Sequence, residues 1–153
     1  MKRYNRLIFV DSDDTCRGPM AKNIMREKHL LNPLEIDSRG LVVLFSEPIN
    51  QKAEAVLISN GYKSNEHKSQ QLVQEDFGDD VLILAMEEQE KDKIWSNFDN
   101  VRNLYTLTEY LKINGDVPAL YGASLPEYGI CCEVIEQLIC KLVIKLNEEA
   151  MGL

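Results

Sequence analysis

Apolar and polar residues alternate along the chain in blocks of two kinds. Short, nearly continuous apolar runs are followed by longer stretches in which apolar residues recur at helical spacing. The first kind is typical of a strand buried on both faces of a parallel sheet, and the second of a helix packed by one face. The predicted strands cover about residues 6–10, 34–38, 81–85 and 101–105, and the predicted helices about residues 18–30, 48–59, 87–95, 106–111 and 125–147. This alternation predicts an α/β fold with a parallel sheet.

Proline, glycine and asparagine mark the ends of these blocks. Pro19 lies in the first turn of the first predicted helix, where a missing N–H costs nothing. The pair Asn60–Gly61 predicts a left-handed cap after the second helix. The segment Asp37–Gly40 is predicted to form a turn after the second strand.

Composition narrows the class of protein. A chain of 153 residues suffices for one domain with a substantial core, so we expect a single domain over residues 1–153. The net charge of −8 argues against a nucleic-acid partner, which would require clustered lysine and arginine. The longest apolar run, Leu138–Leu146, falls far short of the ~20 residues of a membrane span. No apolar leader precedes the first strand and the four cysteines lack metal-site spacing, so we expect a cytoplasmic protein with reduced thiols and no membrane contact.

The most informative chemistry lies where the first strand runs into a helix. The connecting loop consists of Asp11, Ser12, Asp13, Asp14, Thr15, Cys16 and Arg17. A loop between a buried strand and a helix N-terminus directs several backbone N–H groups to one point, which suits a phosphate. The guanidinium of Arg17 can add two parallel hydrogen bonds to phosphate oxygens. The architecture of the segment therefore predicts a phosphate-binding loop, here called the phosphate loop (residues 11–17).

Six segments, in this order, resemble those of the low-molecular-weight protein tyrosine phosphatases. They cover residues 11–19, 37–41, 46–48, 67–72, 82–86 and 117–124. The last reads Val-Pro-Ala-Leu-Tyr-Gly-Ala-Ser and is similar to the acid-bearing loop of that family, usually Ile-Pro-Asp-Pro-Tyr/Phe-Gly-Gly-Ser. Together with the alternation of strands and helices, the resemblance implies a four-stranded parallel sheet in the order 2-1-3-4 with helices on both faces. The phosphate loop should then lie at the carboxyl end of the first strand.

The chain departs from this family at the residues that react. In the family a loop cysteine attacks phosphorus and an aspartate protonates the leaving group, and the matching residues here are Asp11 and Ala119. Arg17 matches the arginine that binds phosphate. Loss of a nucleophile can cost on the order of 10⁶ in rate, and a general acid supplies ~10²–10⁴. The resemblance thus implies a pseudophosphatase, a phosphatase fold that is inactive as the sequence stands.

Other matching positions surround the expected cleft. Tyr121 matches an aromatic wall, and Ser38 and His67 match residues that support the loop in the family. We interpret His67 as a structural brace rather than a ligand or base. Asp14 replaces an asparagine of the same network, and Gly18 replaces a serine.

Arg17 and Cys16 each have competing interpretations. Arg17 can grip an anion, or it can pair with the neighbouring aspartates. Cys16 matches a second loop cysteine that in the family can pair oxidatively with the nucleophile, but Asp11 offers no thiol. We interpret Cys16 as a small packed residue.

The three aspartates of the loop disfavour an anion. Two unit charges ~7 Å apart at an effective dielectric of about 20 interact by roughly 2–2.5 kcal/mol. Ionised Asp11, Asp13 and Asp14 would therefore oppose a phosphate more than Arg17 and a helix end attract it. Either some of these carboxylates are protonated or the loop prefers a cation or water.

Two alternatives to an inactive site are open at this point. The loop also fits the Asp-x-Asp-x-Thr pattern in which an aspartate, here Asp11, attacks phosphorus with the help of Mg²⁺. Those enzymes need further acidic residues after a later strand, whereas Asp79 and Asp80 precede theirs. Substitution by an experimenter would explain Asp11 alone, but not the other departures from the family. We expect no cofactor, with Mg²⁺ only under the first alternative, and a protein or small-molecule partner at the former active-site cleft.

Overall fold

A four-stranded parallel sheet forms the centre of the computed structural model, which describes residues 4–64 and 66–153. The strands are β1 (Arg6–Asp11), β2 (Glu35–Gly40), β3 (Val81–Ala85) and β4 (Leu104–Thr106). Their order is β2-β1-β3-β4, and every adjacent pair is parallel. The predicted α/β class and strand order are confirmed.

Helices connect the strands and cover both faces of the sheet. They are α1 (Arg17–Arg26), α2 (Gln51–Ser59), α3 (Glu88–Asn97), α4 (Leu107–Tyr110) and α5 (Leu125–Ala150), with a 3₁₀ turn over Gln74–Asp76. Within the described ranges, none of these helices combines the length and apolar character that crossing a bilayer requires.

Strand β1 divides the core between the two faces. Leu7 and Phe9 pack with residues of α1, α2 and α5, whereas Ile8 and Val10 pack on the opposite face with residues such as Ile94 of α3. These four side chains of β1 are fully buried. This period of two over a fully apolar strand is what a sheet covered on both faces requires.

The predicted turn at Asp37–Gly40 was wrong, because these residues belong to β2. Ser38 pairs with Phe9 of β1, and Arg39 pairs with Val10. The polar side chains that suggested a turn instead form ion pairs at the sheet edge, since Asp37 lies 2.9 Å from Arg6. Ion pairing therefore allows this polar sequence to remain extended.

Several predicted boundaries shift by a few residues. Helix α1 ends at Arg26 rather than residue 30, and α5 continues to Ala150. Helix α2 begins at Gln51, because the side chain of Asn50 accepts the N–H groups of its first turn. Strand β4 begins only at Leu104, since the positive φ of Asn103 (55°) interrupts the extended backbone.

Gly40 brings the segment after β2 against the phosphate loop. A Cβ atom at residue 40 would lie 2.7 Å from the carbonyl carbon of Asp13, closer than real Cβ contacts allow. The backbone N–H groups of Leu41 and Val42 donate to the carbonyls of Asp11 and Ser12, both at 3.0 Å. The two segments are therefore held together by their backbones.

Candidate functional site

A cleft with a volume of about 170 Å³ opens at the carboxyl end of β1. Asp11, Cys16 and Arg17 line it from the phosphate loop, and Ala119 and Tyr121 line it from the segment before α5. The structure thus brings together residues that lie about a hundred positions apart in the sequence. Parallel α/β sheets place ligands at this edge.

Asp11 fills the centre of the phosphate loop with its own carboxylate. Its Oδ1 accepts the backbone N–H of Asp14 at 2.7 Å, and its Oδ2 accepts that of Gly18 at 3.0 Å. The residue is 1% exposed. Burial raises the pKa of Asp11, and these two N–H groups together with the charge of Arg17 oppose that rise. The carboxyl group of Asp11 therefore already occupies two backbone N–H donors, one of the phosphate loop and one of α1.

Arg17 pairs with glutamates of the segment after β3 rather than with the aspartates considered from the sequence. Its Nη1 donates to Glu87 at 2.6 Å and to the carbonyl of Val117 at 2.7 Å, and its Nη2 donates to Glu90 at 2.7 Å. Burial lowers the pKa of Arg17, but the carboxylates of Glu90, Asp11 and Glu87 outweigh burial and raise it. The guanidinium is buried and neutralised by the protein itself.

Glu87 and Glu90 are site residues that the sequence interpretation missed. The backbone N–H of Glu87 donates to the Glu90 carboxylate at 2.9 Å, which closes the first turn of α3. Glu90 also accepts the hydroxyl of Ser12 at 3.0 Å. Burial raises the pKa of Glu90, and Arg17 opposes that rise. The sequence feature that could have identified these two glutamates is their position directly after β3, the strand that pairs with β1.

Asp14 is buried beneath the loop in a left-handed conformation, with φ 61°. Its Oδ2 accepts the N–H of Gln70 at 2.9 Å. The Ser38 hydroxyl interacts with this carboxyl without a well-formed hydrogen bond, since Oδ1 of Asp14 and Oγ of Ser38 are both buried and unsatisfied. Burial raises the pKa of Asp14 to about 7, although Ser38 and Gln70 lower it. At neutral pH this carboxyl is divided between its two charge states.

His67 connects Asp14 to a buried lysine. Nζ of Lys22 lies 2.5 Å from Nδ1 of His67, and Nε2 of His67 lies 2.6 Å from the carbonyl oxygen of Asp14. The lysine donates to Nδ1, so Nε2 carries the proton that the carbonyl accepts. Burial lowers the pKa of His67 to about 4 and that of Lys22 to about 8. Lys22 was missed because a lysine on a helix ordinarily faces solvent.

The remaining loop residues make local contacts. Oδ1 of Asp13 accepts the backbone N–H of Thr15 at 3.2 Å and its hydroxyl at 2.8 Å. Cys16 is half-buried, and its Sγ lies 3.7 Å from the hydroxyl of Tyr128 at the cleft wall. Burial raises the pKa of the Cys16 thiol. Tyr121 is 74% exposed at the cleft mouth. No group of three or more His, Cys, Asp or Glu residues that could hold a metal ion occurs over 4–64 and 66–153.

Comparison with known proteins extends over nearly the whole chain. The model of the family described as low molecular weight phosphotyrosine protein phosphatase matches residues 6–151. A protein-arginine-phosphatase of Geobacillus stearothermophilus is 30% identical over 146 residues, covering 94% of this chain and 97% of that protein. The low molecular weight protein-tyrosine-phosphatase PtpB of Staphylococcus epidermidis is 31% identical over 140 residues, covering 92% and 98%.

Solved structures show the same similarity in three dimensions. The low molecular weight protein tyrosine phosphatase from T. tengcongensis superposes with a TM-score of 0.85 at 32% identity, covering 92% of this chain and 99% of that one. The YwlE arginine phosphatase from Geobacillus stearothermophilus superposes with a TM-score of 0.90 at 29% identity, covering 97% and 96%. The similarity therefore includes the sheet and all segments that line the cleft.

Proposed function

We propose that the chain is a noncatalytic member of the low molecular weight phosphotyrosine protein phosphatase family, to which it belongs. Its cleft serves binding rather than hydrolysis. Asp11 stands at the position of the family's nucleophile, and Ala119 stands at the position of its general acid. The observation that carries this proposal is the hydrogen bonding of Asp11, whose two carboxylate oxygens accept N–H groups of the phosphate loop and α1.

The first support is the absence of a thiol at the attacking position. Cys16 lies at the start of α1, and its Sγ contacts Tyr128 at the cleft wall. Because its pKa is raised by burial, little of it is thiolate at neutral pH. Ala119 offers no proton to a leaving group. The chain therefore has neither the cysteine that attacks phosphorus in the family nor the aspartate that protonates the leaving group.

The second support is electrostatic. A phosphate would need the N–H groups that Asp11 occupies and the guanidinium that Glu87 and Glu90 neutralise. Removing a guanidinium from two carboxylates to serve an incoming dianion costs several kcal/mol, because an unpaired buried charge is strongly destabilising. Phosphate and its esters should bind weakly at neutral pH.

Attack by Asp11 itself, with or without Mg²⁺, has less support. Both oxygens of its carboxylate accept backbone N–H groups, so attack on phosphorus would have to break a hydrogen bond that holds the side chain in place. We further propose a cytoplasmic location, in which the four free cysteines stay reduced.

Turnover of p-nitrophenyl phosphate, measured with and without Mg²⁺, tests the proposal. We expect no hydrolysis above the uncatalysed rate in either condition. The triple variant Asp11→Cys/Ala119→Asp/Leu120→Pro is the matched positive control, because it restores the family's reacting residues in the same scaffold. Turnover by the unaltered protein that is lost in Asp11→Asn would show aspartyl catalysis and overturn the proposal.

A further inference from the structure

The segment that crosses the phosphate loop exposes several large apolar side chains. Val42 is 61% exposed, Leu44 83% and Phe45 80%. Tyr121, 74% exposed, lines the same groove as Val42. We call these four residues the apolar rim. Single exposed apolar residues are common, but three of these lie within four consecutive positions, next to a groove that Val42 and Tyr121 line. Such a grouping is typical of an interaction surface.

Backbone contacts hold the rim in place. The N–H groups of Leu41 and Val42 donate to carbonyls of the phosphate loop, and the N–H of Val43 donates to the side chain of Gln71 at 2.8 Å. Ser46 closes the segment by donating its hydroxyl to the carbonyl of Ser69 at 3.0 Å. A surface that is already ordered loses little conformational entropy when a partner binds.

The groove beside the rim is acidic. Its volume is about 490 Å³, and it is lined by the carboxylates of Asp13, Glu87 and Glu90 and by one cation, Lys93. Asp13, Ala119 and Tyr121 also line the smaller cleft, so the two openings adjoin. The volume lies within the ~300–1,000 Å³ that ligand sites commonly have.

The charge of this face is compensated only in part. Arg17 pairs with Glu87 and Glu90 and offsets one of their two charges, and Lys93 offsets another. The carboxylate of Asp13 remains in excess, in a chain with a net charge of −8. Asp13 lies where the two openings adjoin, and its Oδ1 accepts the backbone N–H and the hydroxyl of Thr15. An incoming cation would therefore meet a complementary potential, whereas an anion would meet repulsion.

We propose that this face docks a segment of a partner protein in which an arginine side chain lies beside an apolar one. The guanidinium enters the cleft at Asp13 and Tyr121, and the apolar side chain packs on Leu44 and Phe45. Arginine fits better than lysine because its planar group stacks on aromatic rings and binds carboxylates through two hydrogen bonds. This inference rests on the proposed noncatalytic function, since it uses the same cleft.

Calorimetry with short synthetic peptides tests the docking. The probe contains the sequence Leu-Arg-Phe, and the matched peptides replace arginine with citrulline, which keeps the shape and removes the charge, or with lysine. We expect the arginine peptide to bind at least ~10-fold more tightly than the citrulline peptide, with affinity falling as salt increases. Equal affinities, or no binding of the arginine peptide below about 1 mM, would overturn the proposal.

Variants locate the surface. We expect Leu44→Ser/Phe45→Ser to weaken the arginine peptide about 10-fold and Asp13→Asn to weaken it several-fold. The controls Ile130→Ser/Ile144→Ser and Glu133→Gln make the same kinds of change at exposed residues of α5 and should leave binding unchanged. Equal losses in the control variants would show that the peptide binds elsewhere.

A second copy of the chain is the competing occupant. Sedimentation of the protein alone should give a monomer, and a dimer that Leu44→Ser/Phe45→Ser dissociates would refute a peptide partner. The phosphatase assay separates the two proposals. Hydrolysis by the unaltered protein would defeat the noncatalytic function, whereas absence of both hydrolysis and peptide binding would defeat only the docking.

Discussion

Oδ2 of Asp11 accepts the backbone N–H of Gly18 at 3.0 Å, so the last residue of β1 binds the first turn of α1 across the loop between them. A carboxylate near a helix N-terminus is favourable because it meets unsatisfied N–H groups and the positive end of the helix dipole. The carboxyl group of Asp11 thus lies where an external anion could accept the same N–H groups.

Removing this internal anion should open the loop to an external one. We expect Asp11→Ala to bind sulfate at least ~10-fold more tightly than the unaltered protein at pH 7, because two N–H groups are freed and one charge is lost. Without sulfate the variant should be less stable by about 1–3 kcal/mol. Calorimetry and chemical denaturation measure the two effects. Asp13→Ala removes the same charge without freeing those donors, and an equal gain there would contradict the mechanism.

Anion binding to the unaltered protein should improve as the pH falls. Burial raises the pKa of Asp14 to about 7, so this carboxyl takes up a proton within the range from pH 8 to pH 5, while Arg17 stays charged. Burial also raises the pKa of Asp11, which acts in the same direction. Sulfate keeps its charge over this range and is therefore the appropriate probe. We expect its affinity to rise between pH 8 and pH 5 by roughly 10-fold. In Asp14→Asn the affinity should be higher at pH 8 and change less with pH.

The buried carboxyl of Asp14 should lower stability at neutral pH. Its pKa of about 7 lies above the ordinary value of 3.8, so the folded state holds a proton that the unfolded state releases between these values. Its contribution is favourable below pH 4 and is lost as the pH rises to 7. Asp14→Asn should therefore raise the free energy of unfolding at pH 8 by on the order of 3 kcal/mol. Asparagine also tolerates the positive φ of this residue.

The same variant should reveal an opposite effect from His67. Burial lowers the pKa of His67 from 6.5 to about 4, so stability is lost as the pH falls between these values and the unfolded state takes up the proton. In the unaltered protein Asp14 offsets this loss. We expect the unfolding free energy of Asp14→Asn to fall between pH 6.5 and pH 4, whereas that of the unaltered protein changes little. Parallel denaturation profiles would show that the two groups do not oppose each other.

The two glutamates that hold Arg17 should differ in importance. Glu90 is almost fully buried, whereas the Glu87 side chain is 22% exposed. We expect Glu90→Gln to lower the free energy of unfolding by about 3 kcal/mol, as expected for a broken buried pair, and Glu87→Gln by less than about 1 kcal/mol. Urea denaturation of both variants measures the difference. A larger loss in Glu87→Gln would mean that Glu87 supplies most of the neutralising charge.

The sequence was sufficient for the fold because its signals are local and repeated. Strands β1 and β3 are compact apolar runs, and the alternation with helices leaves few topologies. The polar run Asp37–Gly40 misled the interpretation because its partners, such as Arg6, lie far away in the sequence. Local turn propensity could not anticipate the ion pairs that keep it extended.

The site was less predictable than the fold because its electrostatics depend on distant residues. Asp11 and Ala119, on which the proposed noncatalytic function rests, are each read from a single position of the sequence. The pairing of Arg17 with Glu87 and Glu90 joins positions seventy or more residues apart and appears only once β1 and β3 are neighbours. Lys22 was equally hidden, since only the three-dimensional packing places its amine against His67.

Because Gly40 has no side chain, the segment that carries most of the apolar rim can lie directly against the phosphate loop. These two parts of the proposed binding face therefore adjoin. Even a methyl group at residue 40 would collide with the backbone of Asp13 and the side chain of Val43 and force the crossing segment away. Without that clearance the rim and the phosphate loop would be separate surfaces. With that clearance, a partner bound at Phe45 should also affect the backbone around Asp11. Its binding should therefore be detectable as altered hydrogen exchange of backbone amides in the phosphate loop.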